Sequence, residues 1–599
     1  MPIQNSKLNI QNSAPFLILL LVLLDPILTI IFIPLCDSFI PPKIFALHIG
    51  LSVIALIWII HIIRAEEIHI CRSPLLIPVI SYFAVHIISA FNASSGYLSL
   101  RQLEVFLPYF LIFLFALTYV NTENAARTLL RGIVLMGCLF SIHGIFQFAG
   151  LDFLGRQSRY YNSADVYLRT YSTFGNPDLL AEYLSVALMP AAGLLFSEKN
   201  RRWQAFHLVA TAAIAICILL TKSRGAAVSA AVGFMILSIL ISHQKSSIFR
   251  RLLIAAGICI LTATIILSLT LTKGVKSESV IYRIITWRIA AQMILEHPIA
   301  GIGTGNFHYL YLNYQREFFK NPDNLRYAHL VNNEKPRHLH NEYLQTAVET
   351  GVPGLAAFLL VLIVFLWHSV KLLMRHRENS LLIIAFCAAL VFWLEMGVGV
   401  GLHIPPSGAL FWLMLGMMSS GIGHGRILMR KLSFTHPRVK WEIAATAFIL
   451  IAFFLVHSVR QIEANMLLAK GKELIAAEKA AEAIPVFDRA LRLDPGRGEI
   501  HFQRGAAFLM IGNYEQAITE FYRAKKSSND PNLHFNSALA LFQVKQYDEA
   551  IKELKIMEEM IPAHPQPKIT MSIFLRYLGR EEEAKQKILE AKELQKSNW

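Results

Sequence analysis

Charge is scarce in this chain. Asp, Glu, Lys and Arg make up only 16% of its 599 residues, against 55% hydrophobic, and the mean hydropathy is +0.47. Soluble domains carry about 25% charged residues, so an ordinary water-soluble protein is excluded and a membrane protein is indicated. Cysteine is also sparse. Cys36, Cys71, Cys138, Cys217, Cys259 and Cys387 stand singly, without a CxxC or a metal-ligand spacing. That excludes a disulfide framework and leaves them as small, apolar core residues. No DxD acidic pair occurs, which argues against a metal site. No basic block is interleaved with aromatics, so the net charge of +15 is no nucleic-acid footprint. In a membrane protein such an excess belongs to cytoplasmic loops. A small-residue cleavage site after the first apolar run is missing too, so that run is expected to stay as a first span.

What is present is a succession of apolar runs about 17–25 residues long, the length that crosses a bilayer. Thirteen are expected, at roughly 15–34, 43–63, 74–92, 104–120, 128–149, 177–196, 203–221, 225–242, 251–272, 353–374, 380–401, 406–424 and 441–459. Their loops are biased. The even loops hold eighteen Lys and Arg, ending in the cluster Arg426, Arg430, Lys431, Arg438 and Lys440, whereas the odd short loops hold seven. The bias places the N-terminus and the even loops in the cytoplasm and the C-terminal tail outside. A long odd segment, about 273–352, also falls outside. Two acids, Asp25 and Glu395, lie within apolar runs, where structural pairing or a proton path are the two roles open to them.

Beyond residue 460 the composition turns soluble and repetitive. "AIPVFDRALRLDP" starts at Ala483, "AITEFYRAKKSSNDP" at Ala517, "AIKELKIMEEMIP" at Ala550 and "AKQKILEAKEL" at Ala584. Gly471, Gly505, Ala538 and Ser572 recur in step upstream. A period near 34 residues resembles the tetratricopeptide repeat. Four units, 464–497, 498–530, 531–564 and 565–598, are expected to stack into a solenoid that binds a partner. The fold expected is therefore all-α: a polytopic helical membrane domain over 1–460 and a tetratricopeptide domain over 461–599.

Four polar motifs fall on the expected outer side. "TKSRGAAVSAAVGF" from Thr221 puts Lys222 and Arg224 at a helix start, where they suit either an anion or lipid headgroups. "YRIITWRIAAQMILEHPIAGIGTGNF" from Tyr282 reads as an amphipathic helix closed by a glycine-rich turn. Its Arg283 and Arg288 lie about 140° apart around the helix, so both are not expected to face one site. "HLHNEYLQTAVETGVPG" from His338 begins a helix near Asn341, with Asn341, Gln345 and Glu349 on one face. His340 then stands at the positive end of that helix, which keeps its ring neutral and able to take a proton. His338 completes an HxH pair, but the further ligands of a metal site are missing. "YSTFGNPDLLAEYL" from Tyr171 supplies a turn and helix start at Asn176-Pro177-Asp178, where capping is the main role expected and the outer cavity is a second role open to Asp178.

In this order the motifs resemble the O-antigen ligase and polymerase superfamily. Ser223-Arg224-Gly225 matches its Arg-Gly pair, Arg283 to Gly303 its Arg/Trp helix ending in HPxxGxG, and His340-Asn341 with Gly351 and Gly354 its H-N-x9-G-x-x-G signature. The resemblance covers about residues 160–425 and implies a GT-C-like helical enzyme of the bacterial inner membrane. It implies transfer of a glycan from an undecaprenyl-diphosphate-linked donor to a glycan, lipid A-core or protein acceptor outside the membrane, without metal or other cofactor. His340 would be the catalytic residue, and Arg224, Arg288, Arg283, Asn341, His338 and Lys222 would bind substrate. A polysaccharide polymerase, a protein O-oligosaccharyltransferase, a lipid-linked glycan transporter and a tetratricopeptide scaffold are the alternatives.

Overall fold

The computed structural model describes residues 31–32, 35–36, 38–64, 67–71, 73–152, 169–242, 276–331, 336–422, 429–433 and 437–597, with scattered residues between 248 and 264. The expected span 15–34 with Asp25, and most of the span 251–272, lie outside the described residues.

The membrane part runs α1 (Ile40–Arg64), α2 (Leu76–Ala90), α3 (Gly96–Tyr119), α4 (Glu123–Phe148), α5 (Pro177–Ser197), α6 (Arg201–Thr221) and α7 (Arg224–Ser242). The long segment that follows folds into α8 (Lys276–Glu296), α9 (Phe307–Phe319) and a short α10 (Ala328–Val331). The chain returns to the membrane in α11 (Glu342–Arg375), α12 (Ser380–Glu395) and α13 (Pro405–Ser419), and α14 (Pro437–Ala476) leads into the tail. Among the described residues, eight helices (α1, α3–α7, α11 and α14) are long and apolar enough to cross a membrane, and α2 and α12 are shorter apolar helices. That does not confirm the expected thirteen spans. The helical character does hold, with one small addition. Two short strands, β1 (Glu67–Cys71) and β2 (Met429–Ser433), pair antiparallel from Glu67↔Ser433 to Cys71↔Met429 and join two of the basic loops.

α5 and α12 are buried along almost their whole length and form the centre of the bundle. α14 lies at the rim. Its Phe448, Ile449 and Phe453 are largely exposed, which in this setting is a lipid-facing surface. Inward, its Ser458 hydroxyl meets His48 Nδ1 of α1 at 2.6 Å, and His457 Nε2 meets Glu104 of α3 at 2.7 Å.

α14 does not end at the membrane. It continues without a break as the first helix of the tail and packs on α15 (Ala480–Leu493). Three helix pairs follow: α16 (Gly498–Met510) with α17 (Tyr514–Ala524), α18 (Pro531–Gln543) with α19 (Tyr547–Met560), and α20 (Gln566–Tyr577) with α21 (Glu581–Ser597). Small residues permit these pairings. A Cβ on Gly471 would lie 2.2 Å from the Phe487 ring, and one on Gly505 would lie 2.6 Å from Phe521. Larger residues there would push the paired helices apart.

The tail is not detached from the rest. Met557, Met560, Ile561 and Ala563 share one core with Ile285, Ile289, Phe307 and Tyr311 of α8 and α9. Gln315 donates to the Met560 carbonyl at 2.7 Å, and Arg316 pairs with Glu559. The solenoid thus docks on the long segment, on the side of the bundle from which that segment emerges.

Candidate functional site

Three chain breaks meet at one place on this side. The first lies between α6 and α7. α6 ends at Thr221, Lys222 turns left-handed at φ 53°, and Arg224 opens α7. The second is the start of α5, where Asn176 caps the helix by accepting from Asp178 N at 2.8 Å. Arg169 ties the two together: it ion-pairs with Asp178 at 2.7 Å and donates through Nε to the Thr221 carbonyl at 2.7 Å. Ser223 lies within hydrogen-bonding reach of Asp178. The third break is the start of α11. Here His340 stands at φ 51°, a left-handed conformation uncommon in a side-chain-bearing residue, and it lies close enough to Asp178 and Arg283 to feel both charges. Burial, and then the Arg283 guanidinium, hold the imidazole below its ordinary range, while Asp178 pulls the other way. His340 is therefore neutral near pH 7.

The strained backbone at His340 is held by its neighbours. Trp287 Nε1 of α8 donates to the Leu339 carbonyl at 2.9 Å, and Leu339 N donates to Gln345 Oε1 at 2.8 Å. Asn341 is fully engaged: Oδ1 accepts Leu344 N at 3.0 Å as the cap of α11, and Nδ2 donates to the Gly397 carbonyl at 3.1 Å. The polar face expected on this helix is buried and structural. Glu342 receives Leu402 N at 2.9 Å and lies 3.3 Å from His403 Nε2. Glu349 accepts from Gln345 Nε2 at 2.6 Å and from Gly305 N at 2.9 Å.

The glycine-rich turn explains why two motifs travel together. α11 breaks at Gly351, where φ is 72° and ψ −173°. A break leaves the preceding carbonyls without helical partners. The turn fills them: Ile302 N donates to the Val348 carbonyl at 3.0 Å, Gly303 N to Glu349 at 3.1 Å, and Val352 N returns a bond to Pro298 at 2.8 Å. The approach is close enough that a Cβ on Gly301 would lie 2.4 Å from the Glu349 carbonyl.

The candidate residues divide accordingly. His340, Arg283 and Asp178 come together, and Arg224 begins α7 immediately after Ser223. Arg288 is exposed, on a helix whose Ile285, Ile289 and Met293 are buried, and Lys222 is exposed as well. His338 is partly buried, with its ring 4.4 Å from the His403 ring; desolvation, with the neighbouring His403 and His340, keeps its ring well below the ordinary histidine range. It therefore belongs to the buried network rather than to the place where His340 stands. Ser223 takes part as a member of the Ser223-Arg224-Gly225 motif, whereas Arg169 and His403 take part without having been singled out in the sequence. Of those two only Arg169 carried a signal, as a cation in an otherwise poor odd loop. Among the described residues no group of three or more metal-ligating side chains occurs.

Residues 209–359 match the family described as O-Antigen ligase, and residues 468–531 match the tetratricopeptide repeat. The first match takes in Arg224, Arg283, Arg288, His338, His340 and Asn341. No curated protein matches the chain significantly. Among solved structures, "MamA 41-end from Desulfovibrio magneticus RS-1" is 19% identical with a TM-score of 0.22, over 27% of this chain and 88% of that one. "Crystal structure of MamA" is 18% identical with a TM-score of 0.22, over 26% and 94%. At such scores the likeness carries no argument. What the two family matches describe is an O-antigen ligase-like membrane protein with a C-terminal tetratricopeptide region, which supports a membrane glycan-transfer role in surface polysaccharide synthesis.

Proposed function

We propose that the protein transfers a glycan from a polyprenyl-diphosphate-linked donor to an acceptor hydroxyl at the extracytoplasmic face of the bacterial inner membrane. The observation that carries this is the meeting of His340, Arg283 and Asp178, from three separate chain segments, at the membrane end of the bundle. Such a reaction forms a bond from the acceptor oxygen to the anomeric carbon and breaks the bond from that carbon to the diphosphate. His340, neutral and partly buried, takes the acceptor proton. Arg283 and Arg224, with Arg288 at the rim, meet the negative charge of the leaving diphosphate, which stays on the polyprenol. Asp178 favours the imidazolium that forms and balances Arg169. The diphosphate ester supplies the driving force, so the proposed step needs no metal. The 1–460 region would hold the reaction and 461–599 would recruit a partner protein or the acceptor.

The test is transfer in vitro with purified protein, lipid-linked donor and acceptor. His340→Ala is expected to lose roughly 10²–10⁴-fold in rate while its melting temperature stays near that of the parent. Turnover close to normal removes His340 from the mechanism. Deleting the protein in cells decides its subclass: long polymer left on the carrier lipid means ligation, and single repeat units mean polymerisation.

A further inference from the structure

A concave site whose lining includes none of His340, Arg283, Asp178 and Arg224 lies where the solenoid meets the membrane body. It is a cleft of about 870 Å³, within the range of ligand sites. Its lining includes Tyr97 at the start of α3, Tyr309 of α9, and Tyr522, Arg523, Lys526 and Ser527 of the second repeat. Three elements far apart in sequence therefore each contribute a tyrosine.

Two of the rings are fixed by their hydroxyls. Tyr97 donates to Asp494 Oδ2 at 2.9 Å, and Tyr309 donates to the Lys525 carbonyl at 3.0 Å. With the hydroxyls occupied, the rings line the cleft as walls. Tyr522 is 70% exposed, although it is large and aromatic. The charges are one-sided. No Asp or Glu is among the described residues that line the cleft. Arg523 pairs with Glu520 at 3.0 Å and Lys525 with Glu553 at 2.6 Å, but Lys526 forms no ion pair among the described residues and stands 6.0 Å from the Tyr522 ring centre. A lysine at a helix C-terminus answers the helix dipole. That role does not require three tyrosines around one cleft.

Aromatic faces take the apolar C–H face of a sugar ring, as they take other apolar surface, and a free ammonium takes a carboxylate or phosphate. We propose that this cleft binds an anionic saccharide, one bearing a carboxylate or phosphate. Its assignment as the acceptor rests on the transfer function proposed above; the binding itself does not.

Full-length protein in detergent is titrated calorimetrically with an oligogalacturonate and with a neutral glucose oligomer of equal length. The uronate is expected to bind more tightly than the neutral oligomer. Binding should weaken roughly tenfold or more in Tyr522→Ala and in Lys526→Glu, with parental melting temperatures, and should be unchanged in His340→Ala. Phosphatidylglycerol added to the micelles is expected not to compete. No uronate binding, equal binding by the folded variants, or displacement by phosphatidylglycerol, which would mark a headgroup site, overturns the proposal. Failed transfer with intact binding counts against the transfer mechanism alone. Normal transfer by a protein that binds no uronate counts against the cleft alone.

Discussion

At the scale of the residue, His340 is where sequence and geometry say most. Its place before a helix was legible in the sequence, and so was a neutral ring. Its neighbours were not. Arg283 and Asp178 lie 57 and 162 positions upstream of it, and no local pattern states that they converge. The two neighbours act in opposite senses, which gives a signed prediction. Protonation of His340 defines the acid limb of the pH–rate profile, expected below about 6.5, the ordinary histidine value. Removing the carboxylate in Asp178→Asn should move that limb to lower pH, and removing the cation in Arg283→Ala should move it higher. Profiles of kcat/KM for the two variants check this, and shifts in the same direction would refute the assignment. Gly351 yields a second prediction. At φ 72° any side chain is strained, and a Cβ would lie 2.6 Å from the Ile299 carbonyl oxygen. Gly351→Ala should destabilise by about 1–3 kcal/mol from the backbone alone, read as a lowered melting temperature in detergent.

At the scale of the element, periodicity proved the reliable guide. The alanine spacing and the small residues of the tail foretold the helix pairs, because each pair must bury a fixed side-chain pattern against the next. The membrane helices were legible by length, though three of them, α2, α12 and α13, are shorter than the apolar runs suggested. The corner at Gly351 was legible as a break, but its docking on the glycine turn was not, since a turn's partner leaves no mark in its own sequence. Within the tail two acids, Glu520 and Glu499, are held as structural groups. Burial opposes the charge on Glu520, but His501 and Arg504 outweigh it and lower its carboxyl to about 2. Burial likewise opposes the charge on Glu499, and Arg497 with Lys472 lowers it to about 2. A depressed carboxylate stabilises the fold fully above its unfolded value of about 4.5, and that contribution fades as pH falls toward 2. The tail's unfolding, followed in the full-length protein, should therefore shift to lower temperature between pH 5 and 3, with a shallower dependence in Glu520→Gln. An equal slope in parent and variant would show that the pair contributes nothing.

At the scale of the whole molecule, the charge bias of the loops had placed the tail and the long segment on one side. The core that Met557 and Met560 share with α8 and α9 agrees with that pairing of sides. Which side faces the periplasm is a separate matter, and the positive-inside rule gives the expectation. A reporter active only outside the cytoplasm, fused after Trp599, should be active; activity of a cytoplasm-only reporter there would reverse the orientation. The contact between tail and segment also predicts coupling. Met560→Asp places a charge in that shared core and should loosen the tail, measured as faster proteolysis within 464–598 than in the parent.

The unbroken α14 has a mechanical consequence. Its 40 residues make a rod about 60 Å long, against a hydrocarbon core about 30 Å thick. Half of the rod is rooted in lipid, and the other half is the first post of the repeats. With no joint between the halves, the repeats cannot drift like a domain on a leash. Whatever is carried in their curve is presented at one height and one bearing above the bilayer, and a tug on the outer repeats is felt as torque on the helix in the membrane.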